Sequence, residues 1–157
     1  LVIDVNMTGV FLCGREAAER MIKFGKGGVS INISSVSRHG NAGQTNYSTA
    51  KAGILGMTQT LAKEWGRMNV TVNCVAYGFI KTRLTTSAAG ESTANIDGRE
   101  IKVGVNPDLM AMIERSIPLG RGGTPDEAAG AVYLLCIPES DYVSGQTLMC
   151  SGGLTGI

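Results

Sequence analysis

The chain has 157 residues, and its 14 lysines and arginines against 13 aspartates and glutamates give a net charge of +1. This length suits one compact domain, and so small a charge argues against a dedicated binder of nucleic acid phosphates or of an anionic membrane surface. Twenty-two glycines together with only 17% charged residues indicate tight turns and packed backbone, unlike a solvated tail.

The first half of the chain alternates helical and extended patterns. Residues 4–24 carry apolar side chains at helical spacing and are followed by Gly25, which predicts a helix that ends there. Residues 29–34 alternate apolar with polar side chains and predict a short strand. A second helix is predicted over residues 46–65, and a β-branched strand over residues 70–76.

The second half is predicted to contain one long segment without regular structure, two helices and a strand. Residues 82–107 show no sustained period and favour a mobile loop or lid, and residues 108–115 favour a short helix. A capping sequence at Thr124 predicts a helix that extends to about Cys136, and residues 146–150 predict the last strand. This order is typical of an α/β protein with a parallel sheet.

The histidine and cysteine content excludes several kinds of metal and catalytic site. The single histidine, His39, excludes a His-rich zinc site and lies too close in sequence to Ser35 for a Ser-His-Asp layout. We expect no metal site, and no apolar run approaches the roughly 18 residues of a membrane span, so we expect a soluble cytoplasmic protein. The cysteines lie far apart and are interpreted as buried reduced thiols: Cys13, Cys74, Cys136 and Cys150.

Tyr47 and Lys51 form the sharpest local signal. They are four residues apart near the start of a predicted helix, which puts both side chains on one face. A nearby ammonium and the positive end of a helix both favour the phenolate form of tyrosine, as proton transfer near neutral pH requires. Alone, such a pair is more often a surface contact. Ser34 and Ser35 end the preceding strand, where parallel sheets meet their ligands, and bring a hydroxyl towards the phenol.

With these residues in view, the chain resembles the short-chain dehydrogenase/reductase family, and most nearly its 3-oxoacyl-carrier-protein-reductase-like branch. The resemblance runs from about residue 5 to residue 153. It implies an NAD- or NADP-dependent oxidoreductase that interconverts an alcohol and a carbonyl on a small molecule by hydride transfer. It rests on these segments: INISS, GQTNYSTAKAG, VTVNCVAYGFIKTRL, IPLGRGGTPDEAAGAVYLL and SGQTL.

The resemblance also implies a set of catalytic roles. Tyr47 would exchange a proton with the substrate oxygen, and Lys51 would favour its phenolate, while both residues contact the cofactor. Ser35 would hold the substrate oxygen in reach. Ser34 remains an alternative, because the spacing from Ser35 to Tyr47 is one residue shorter than the family usually has. Asn6 would interrupt the first helix and support a water-linked proton path to Lys51.

A cofactor-binding loop is implied just after the strand over residues 70–76. In this loop Gly78, Ile80 and Thr82 match the family positions that hold the nicotinamide amide. The family usually has proline immediately before this glycine, but here the residue is Tyr77. We therefore expect a less rigid loop than is usual.

The glycine-rich turn that the family uses for the pyrophosphate has no counterpart in this sequence. We therefore interpret residues 1–157 as a single partial dinucleotide-binding and catalytic domain. It would be the C-terminal part of a doubly wound parallel-sheet Rossmann-like fold, with the first βαβαβ half absent. The strand over residues 29–34 would then have an unpaired edge.

Two further expectations concern assembly. The predicted 46–65 helix has two weakly polar faces. The second of them is either core or, by resemblance, a packing surface in a homodimer or homotetramer. The alternative to an enzyme is a noncatalytic fragment or partner subunit that acts in oligomerisation or ligand binding. That face carries Ala52, Leu55, Gln59 and Ala62.

Overall fold

The computed structural model describes residues 1–82, 85, 92–96, 98–103 and 107–155, and confirms the predicted alternation of helices and strands. None of the helices in these ranges is long and apolar enough to cross a lipid bilayer. The helices are α1 (Gly9–Phe24), α2 (Thr45–Trp65), α3 (Pro107–Ser116) and α4 (Pro125–Tyr133), and a π-helical turn, Asp4–Thr8, leads into α1. The strands are β1 (Gly28–Ser35), β2 (Val70–Tyr77), β3 (Ser92–Ile96), β4 (Arg99–Val103) and β5 (Thr147–Cys150).

Three of the strands form the predicted parallel sheet, in the order β1-β2-β5. β1 and β2 pair along all eight residues of each strand, with Ser35 opposite Tyr77. β5 pairs with the second half of β2, with Cys150 opposite Tyr77. The carboxyl ends of the three strands therefore meet at one edge of the sheet, where α/β proteins bind their ligands.

The core lies on both faces of β2, because successive residues of a strand point to opposite sides. One face packs against α2 through Leu61, Val70 and Val72. The other packs against α4 through Val75 and Ala131. A strand covered on both faces has a nearly continuous apolar sequence, as β2 does.

The expectation of a loop over residues 82–107 is wrong in part. β3 and β4 pair antiparallel, with Ile96 opposite Arg99, and form a small hairpin in this segment. Gly98, between the two strands, has a φ of 77° that glycine adopts without strain. Within the expected lid, residues 83–84, 86–91, 97 and 104–106 lie outside the described residues.

Helix α4 begins where the sequence predicts. The Thr124 hydroxyl accepts a hydrogen bond from the Glu127 amide at 3.2 Å, and the Glu127 carboxylate accepts one from the Thr124 amide at 2.8 Å. This reciprocal arrangement is the predicted capping box. The helix ends earlier than predicted, at Tyr133, because the Leu135 and Cys136 amides bond to carbonyls three residues back and tighten the chain.

Two expectations about burial are wrong in part. On the outer face of α2, Ala52 and Gln59 are exposed, whereas Leu55 and Ala62 are half-buried, so the core alternative fails for half of this face, and its packing in an oligomer stays a prediction. Among the cysteines only Cys74 is buried, whereas Cys13 and Cys136 are exposed. Helix α2 therefore has one buried face, where the sequence pattern indicated two.

A buried polar pair ties β1 to α2. The Asn32 side chain donates to the Thr58 hydroxyl at 2.9 Å, and that hydroxyl donates to the Ile54 carbonyl at 2.8 Å. Asn32 is 6% exposed and Thr58 is fully buried. Because buried polar groups are costly unless paired, this chain of bonds fixes the helix against the strand that leads to Ser35.

We expect Thr58→Val to reduce the free energy of unfolding by about 1–3 kcal/mol, because the isosteric side chain leaves the Asn32 amide buried without its acceptor. The matched control is Thr60→Val, at an exposed position of the same helix. Urea unfolding of both variants measures the difference. Equal midpoints for the two variants would show that the buried pair contributes nothing.

Glu127 is also paired with Arg121, whose guanidinium donates to the two carboxylate oxygens at 2.8 and 2.6 Å. The Arg121 hydrogen bonds, followed by the amide of Thr124, lower the pKa of Glu127 from 4.5 to about 2. A carboxylate whose pKa is lower in the folded state stabilises the fold above its unfolded pKa. That stabilisation disappears as the pH falls through the folded value.

We therefore expect Glu127→Gln to flatten the acid dependence of unfolding. Between pH 4.5 and about 2, the urea midpoint of the unmodified protein should fall more steeply than that of the variant. Arg121→Met should make the fall smaller and end it at a higher pH, because without the cation the folded pKa of Glu127 moves back towards its unfolded value. Parallel profiles for all three proteins would contradict this assignment.

Candidate active site

Helix α2 presents Tyr47 and Lys51 on one face, as their spacing predicts. The Lys51 ammonium lies 5.5 Å from the centre of the Tyr47 ring. Tyr47 is partly exposed, whereas Lys51 is only 7% exposed. A cation at this distance interacts favourably with the ring and, by its charge, with a phenolate.

The Lys51 ammonium is held from β1. It donates a hydrogen bond to the Ile33 carbonyl at 3.0 Å. Burial lowers the pKa of the Lys51 ammonium, and the charge of Cys74 acts in the opposite direction. The lysine is therefore a positioned and partly desolvated cation, unlike the mobile ammonium of a surface lysine.

The two serines at the end of β1 have different surroundings. Ser34 is 2% exposed, and its hydroxyl donates to the Lys51 carbonyl at 2.8 Å. Ser35 is partly exposed, and its hydroxyl accepts a hydrogen bond from the Ser37 amide at 3.1 Å. Accepting that bond leaves the Ser35 hydroxyl proton free to be donated to a ligand. This geometry favours Ser35 over Ser34 as the residue that meets a substrate.

Asn6 lies in the π-helical turn before α1, where the Gly9 amide bonds to the Asp4 carbonyl. Its side-chain amide donates to the Val2 carbonyl at 3.2 Å. The turn packs on α2 at Gly53, where a Cβ atom would lie only 2.8 Å from the sulfur of Met7. The predicted interruption of the first helix is therefore present, and it lies against the helix that carries Lys51.

Gly78, Ile80 and Thr82 follow β2 at the same edge of the sheet as Ser35. The Gly78 amide donates to the Cys150 carbonyl at 3.0 Å, and a Cβ atom here would lie 2.8 Å from the Ser151 Cα, so only glycine fits. Ile80 forms a parallel β-bridge with the backbone of Gly123. The Thr82 amide donates to the Thr85 hydroxyl at 2.7 Å.

Tyr77, in the place of the expected proline, is anchored by its side chain. Its hydroxyl donates to the Ala128 carbonyl in α4 at 2.7 Å. Burial raises the pKa of Tyr77, and the charge of Cys150 adds to this effect. The residue before Gly78 is thus fixed by a hydrogen bond instead of by a proline ring.

Two cavities adjoin these residues. A cavity of about 200 Å³ at the carboxyl edge of the sheet is lined by Phe79, Ile80, Met149 and Ser151, among others. An open groove of about 550 Å³ runs between α1 and β1, and Lys51 is part of its lining. Within the described residues, no group of three His, Cys, Asp or Glu side chains is arranged to hold a metal ion.

Arg38 belongs to no motif in the sequence, but its side chain extends from the turn after β1 to β5. It lies in the 3₁₀ turn Val36–His39, which Ser35 caps. Its guanidinium reaches the sulfur of Met149 at 3.2 Å and the imidazole of His39 at 3.1 Å. Burial raises the pKa of the Cys74 thiol, and the Arg38 charge is the largest influence that opposes it.

Comparison with known proteins identifies a matching family model, sequence relatives and similar solved structures. A family model described as enoyl-(acyl carrier protein) reductase matches residues 1–155. A 3-oxoacyl-(acyl-carrier-protein) reductase of Synechocystis sp. is 43% identical over 98% of this chain and 54% of its own length. A (3R)-3-hydroxyacyl-CoA dehydrogenase of Rattus norvegicus is 40% identical over 98% of this chain and 53% of its own length. The crystal structure of an acetoin dehydrogenase from Salmonella typhimurium has a TM-score of 0.75 at 34% identity, covering 96% of this chain and 53% of that one.

The chain spans about half the length of the curated relatives that it matches. Its three-stranded parallel sheet and its likeness to solved oxidoreductase structures confirm the predicted α/β, Rossmann-like fold class. The agreement extends over nearly the whole chain, both in the family model and in the individual relatives. The chain therefore belongs to the short-chain dehydrogenase/reductase family, in its 3-oxoacyl-carrier-protein-reductase-like branch.

Proposed function

We propose that this chain forms the catalytic part of an NAD- or NADP-dependent oxidoreductase that interconverts an alcohol and a carbonyl. The observation that carries the proposal is the Lys51 ammonium, 5.5 Å from the Tyr47 ring and held by the strand that ends at Ser35. A cation fixed next to a phenol stabilises the phenolate, so the tyrosine can exchange a proton near neutral pH.

In the direction of carbonyl reduction, Ser35 and Tyr47 act on the substrate oxygen. The Ser35 hydroxyl donates a hydrogen bond that holds the oxygen in place and polarises the carbonyl. Tyr47 gives its proton to that oxygen, and Lys51 stabilises the phenolate that remains. When bound, the nicotinamide supplies the hydride that adds to the carbonyl carbon. Alcohol oxidation runs through the same groups in reverse.

The residues around Lys51 fit a nicotinamide cofactor. The ammonium has three donors, and its hydrogen bond to Ile33 occupies one of them, so others can face the adjoining groove. Gly78, Ile80 and Thr82 lie on one backbone segment at the carboxyl edge and are the candidates to contact the nicotinamide amide. The outer edge of β1 pairs with no other described strand. We propose that the half of the dinucleotide fold not represented here packs along this edge.

The substrate is proposed to be a small carbonyl compound or the corresponding alcohol. Relatives named for 3-oxoacyl thioester reduction, 3-hydroxyacyl-CoA oxidation and acetoin oxidation define the first panel to test. Nicotinamide absorbance with each coenzyme in turn measures turnover and coenzyme preference together. A homodimer or homotetramer built on the outer face of α2 remains part of this proposal.

We expect Tyr47→Phe to lower kcat by between about 100-fold and about 10,000-fold, because only the proton donor is removed. Nicotinamide absorbance with the best substrate of the panel measures this loss. The matched control is Tyr142→Phe, which alters a fully exposed tyrosine. Turnover by Tyr47→Phe at the rate of the control would exclude Tyr47 from the mechanism.

The two serines provide a second test, because the structure gives them different tasks. Ser35→Ala should lower kcat by about 100-fold to 1,000-fold and leave the urea midpoint nearly unchanged. Ser34→Ala should lower the free energy of unfolding by about 0.5–1.5 kcal/mol, because it removes a buried hydrogen bond to the Lys51 carbonyl. Measuring both quantities for both variants separates the roles. A larger kinetic loss in Ser34→Ala, with no loss of stability, would reverse the assignment.

A further inference from the structure

Among the described residues, the Arg38 guanidinium has no anionic partner. The described residues contain four ion pairs, and Arg38 takes part in none of them. Its Nε donates to the imidazole of His39, and one terminal nitrogen, Nη2, contacts the Met149 sulfur. The other terminal nitrogen, Nη1, is buried and has no hydrogen-bond partner among the described residues.

The unpaired donor on Arg38 is energetically unfavourable unless a further group accepts its hydrogen bonds. A guanidinium keeps its charge at any physiological pH and has five donors in a planar fork. Thioether sulfur is a weak acceptor, and a neutral imidazole carries no charge to balance the cation. A buried donor without an acceptor is costly, so such a position is stable when an external acceptor supplies the missing bonds. Carboxylate and phosphate groups match the fork geometry and the charge.

Arg38 lies close in the backbone to Ser35, the residue proposed to hold the substrate oxygen. Ser35 caps the 3₁₀ turn that contains Arg38, so the two residues share one rigid piece of backbone. The Arg38 side chain extends from this turn to Met149 on β5, whereas Ser35 ends β1. β2 lies between these strands, so the Arg38 side chain reaches from the turn after β1 towards β5.

We propose that Arg38 is a specificity-determining residue that binds an oxyanion of the substrate, carboxylate or phosphate, several bonds away from the reacting carbonyl. This inference rests on the proposed function, because it assumes that the carbonyl is held by Ser35. The substrate class becomes an oxo acid or a phosphorylated oxo compound, in which Arg38 recognises one end and Ser35 with Tyr47 recognises the other. A neutral ketone would leave the guanidinium unpaired and should be a poorer substrate.

The test uses protein produced from its complete gene, with matched pairs of charged and neutral substrates. The probes are 3-oxobutanoate, 4-oxopentanoate and 5-oxohexanoate, each compared with its methyl ester. We expect kcat/KM to favour the acid over the ester, most of all for the longer acids. Arg38→Met should reduce this preference at least tenfold, and Arg38→Lys should restore part of it. The control is Arg67→Met, an equal change of charge in the turn before β2, at the opposite edge of the sheet.

A binding measurement identifies the source of the anion without turnover. Inorganic phosphate and 5-oxohexanoate should each raise the Tm of the unmodified protein, and Arg38→Met should abolish the shift. Stronger protection by phosphate points to a phosphorylated substrate, and stronger protection by the oxo acid to a carboxylate. An unchanged acid-to-ester preference in Arg38→Met overturns the proposal. So does a change of oligomeric state on gel filtration, since it would identify a second copy of the chain as the partner.

These outcomes are distinct from failure of the proposed function. If no carbonyl compound is turned over but the Arg38-dependent Tm shift remains, then the oxidoreductase assignment fails and the anion site stands. If carbonyl compounds are turned over with the same preference in Arg38→Met and in the unmodified protein, then the anion site fails and the oxidoreductase assignment stands.

Discussion

The site depends on two hydrogen bonds that join residue 51 of α2 to the end of β1. The Lys51 ammonium donates to the Ile33 carbonyl, and the Ser34 hydroxyl donates to the Lys51 carbonyl. One bond involves the side chain of the lysine and the other its backbone. Together they fix the position of α2 relative to the end of β1 and the position of the ammonium. Ser35 follows Ser34 directly, so its position follows from the same two bonds.

The sheet and its connections extend this constraint to the remaining candidate residues. The register of β1 and β2 sets Ser35 opposite Tyr77, and Gly78 then passes so close to Ser151 that no side chain fits between them. The bond from the Tyr77 hydroxyl to Ala128 fixes this crossing from the other face. The loop that carries Ile80 therefore leaves the sheet in a direction set by packing, and a proline before Gly78 is not required for that.

The sequence was sufficient for features that depend on local pattern, and insufficient for those that depend on tertiary contacts. The spacing of Tyr47 and Lys51 predicts their shared face, because helix geometry alone determines it. The sequence favours Ser35 but leaves Ser34 open as an alternative, since the structural difference between them is a bond to a carbonyl 17 residues away. The anchoring of Tyr77 by α4 is non-local in the same way, and so is the missing partner of Arg38.

Other errors in the sequence reading have equally physical causes. The β3–β4 hairpin was missed because its strands are only five residues long each and mostly polar, so their alternation is weak. The sequence leaves the outer face of α2 open as core or interface, because small and apolar side chains are compatible with core, with an interface and with solvent.

The burial of Lys51 disfavours the positive charge that its proposed role requires, and the fold compensates for this only in part. Removing the ammonium from water disfavours its charge, as the lowered pKa shows, yet the charge is what makes the lysine useful beside a phenol. The Ile33 carbonyl offsets some of this penalty by accepting a hydrogen bond from the ammonium. The remaining donors need acceptors that the strand does not provide, and the groove beside Lys51 gives access to them. A hydroxyl-rich ligand in that groove would therefore stabilise both the charge of the lysine and, through it, the phenolate of Tyr47. Cofactor binding and proton transfer would then depend on the same ammonium.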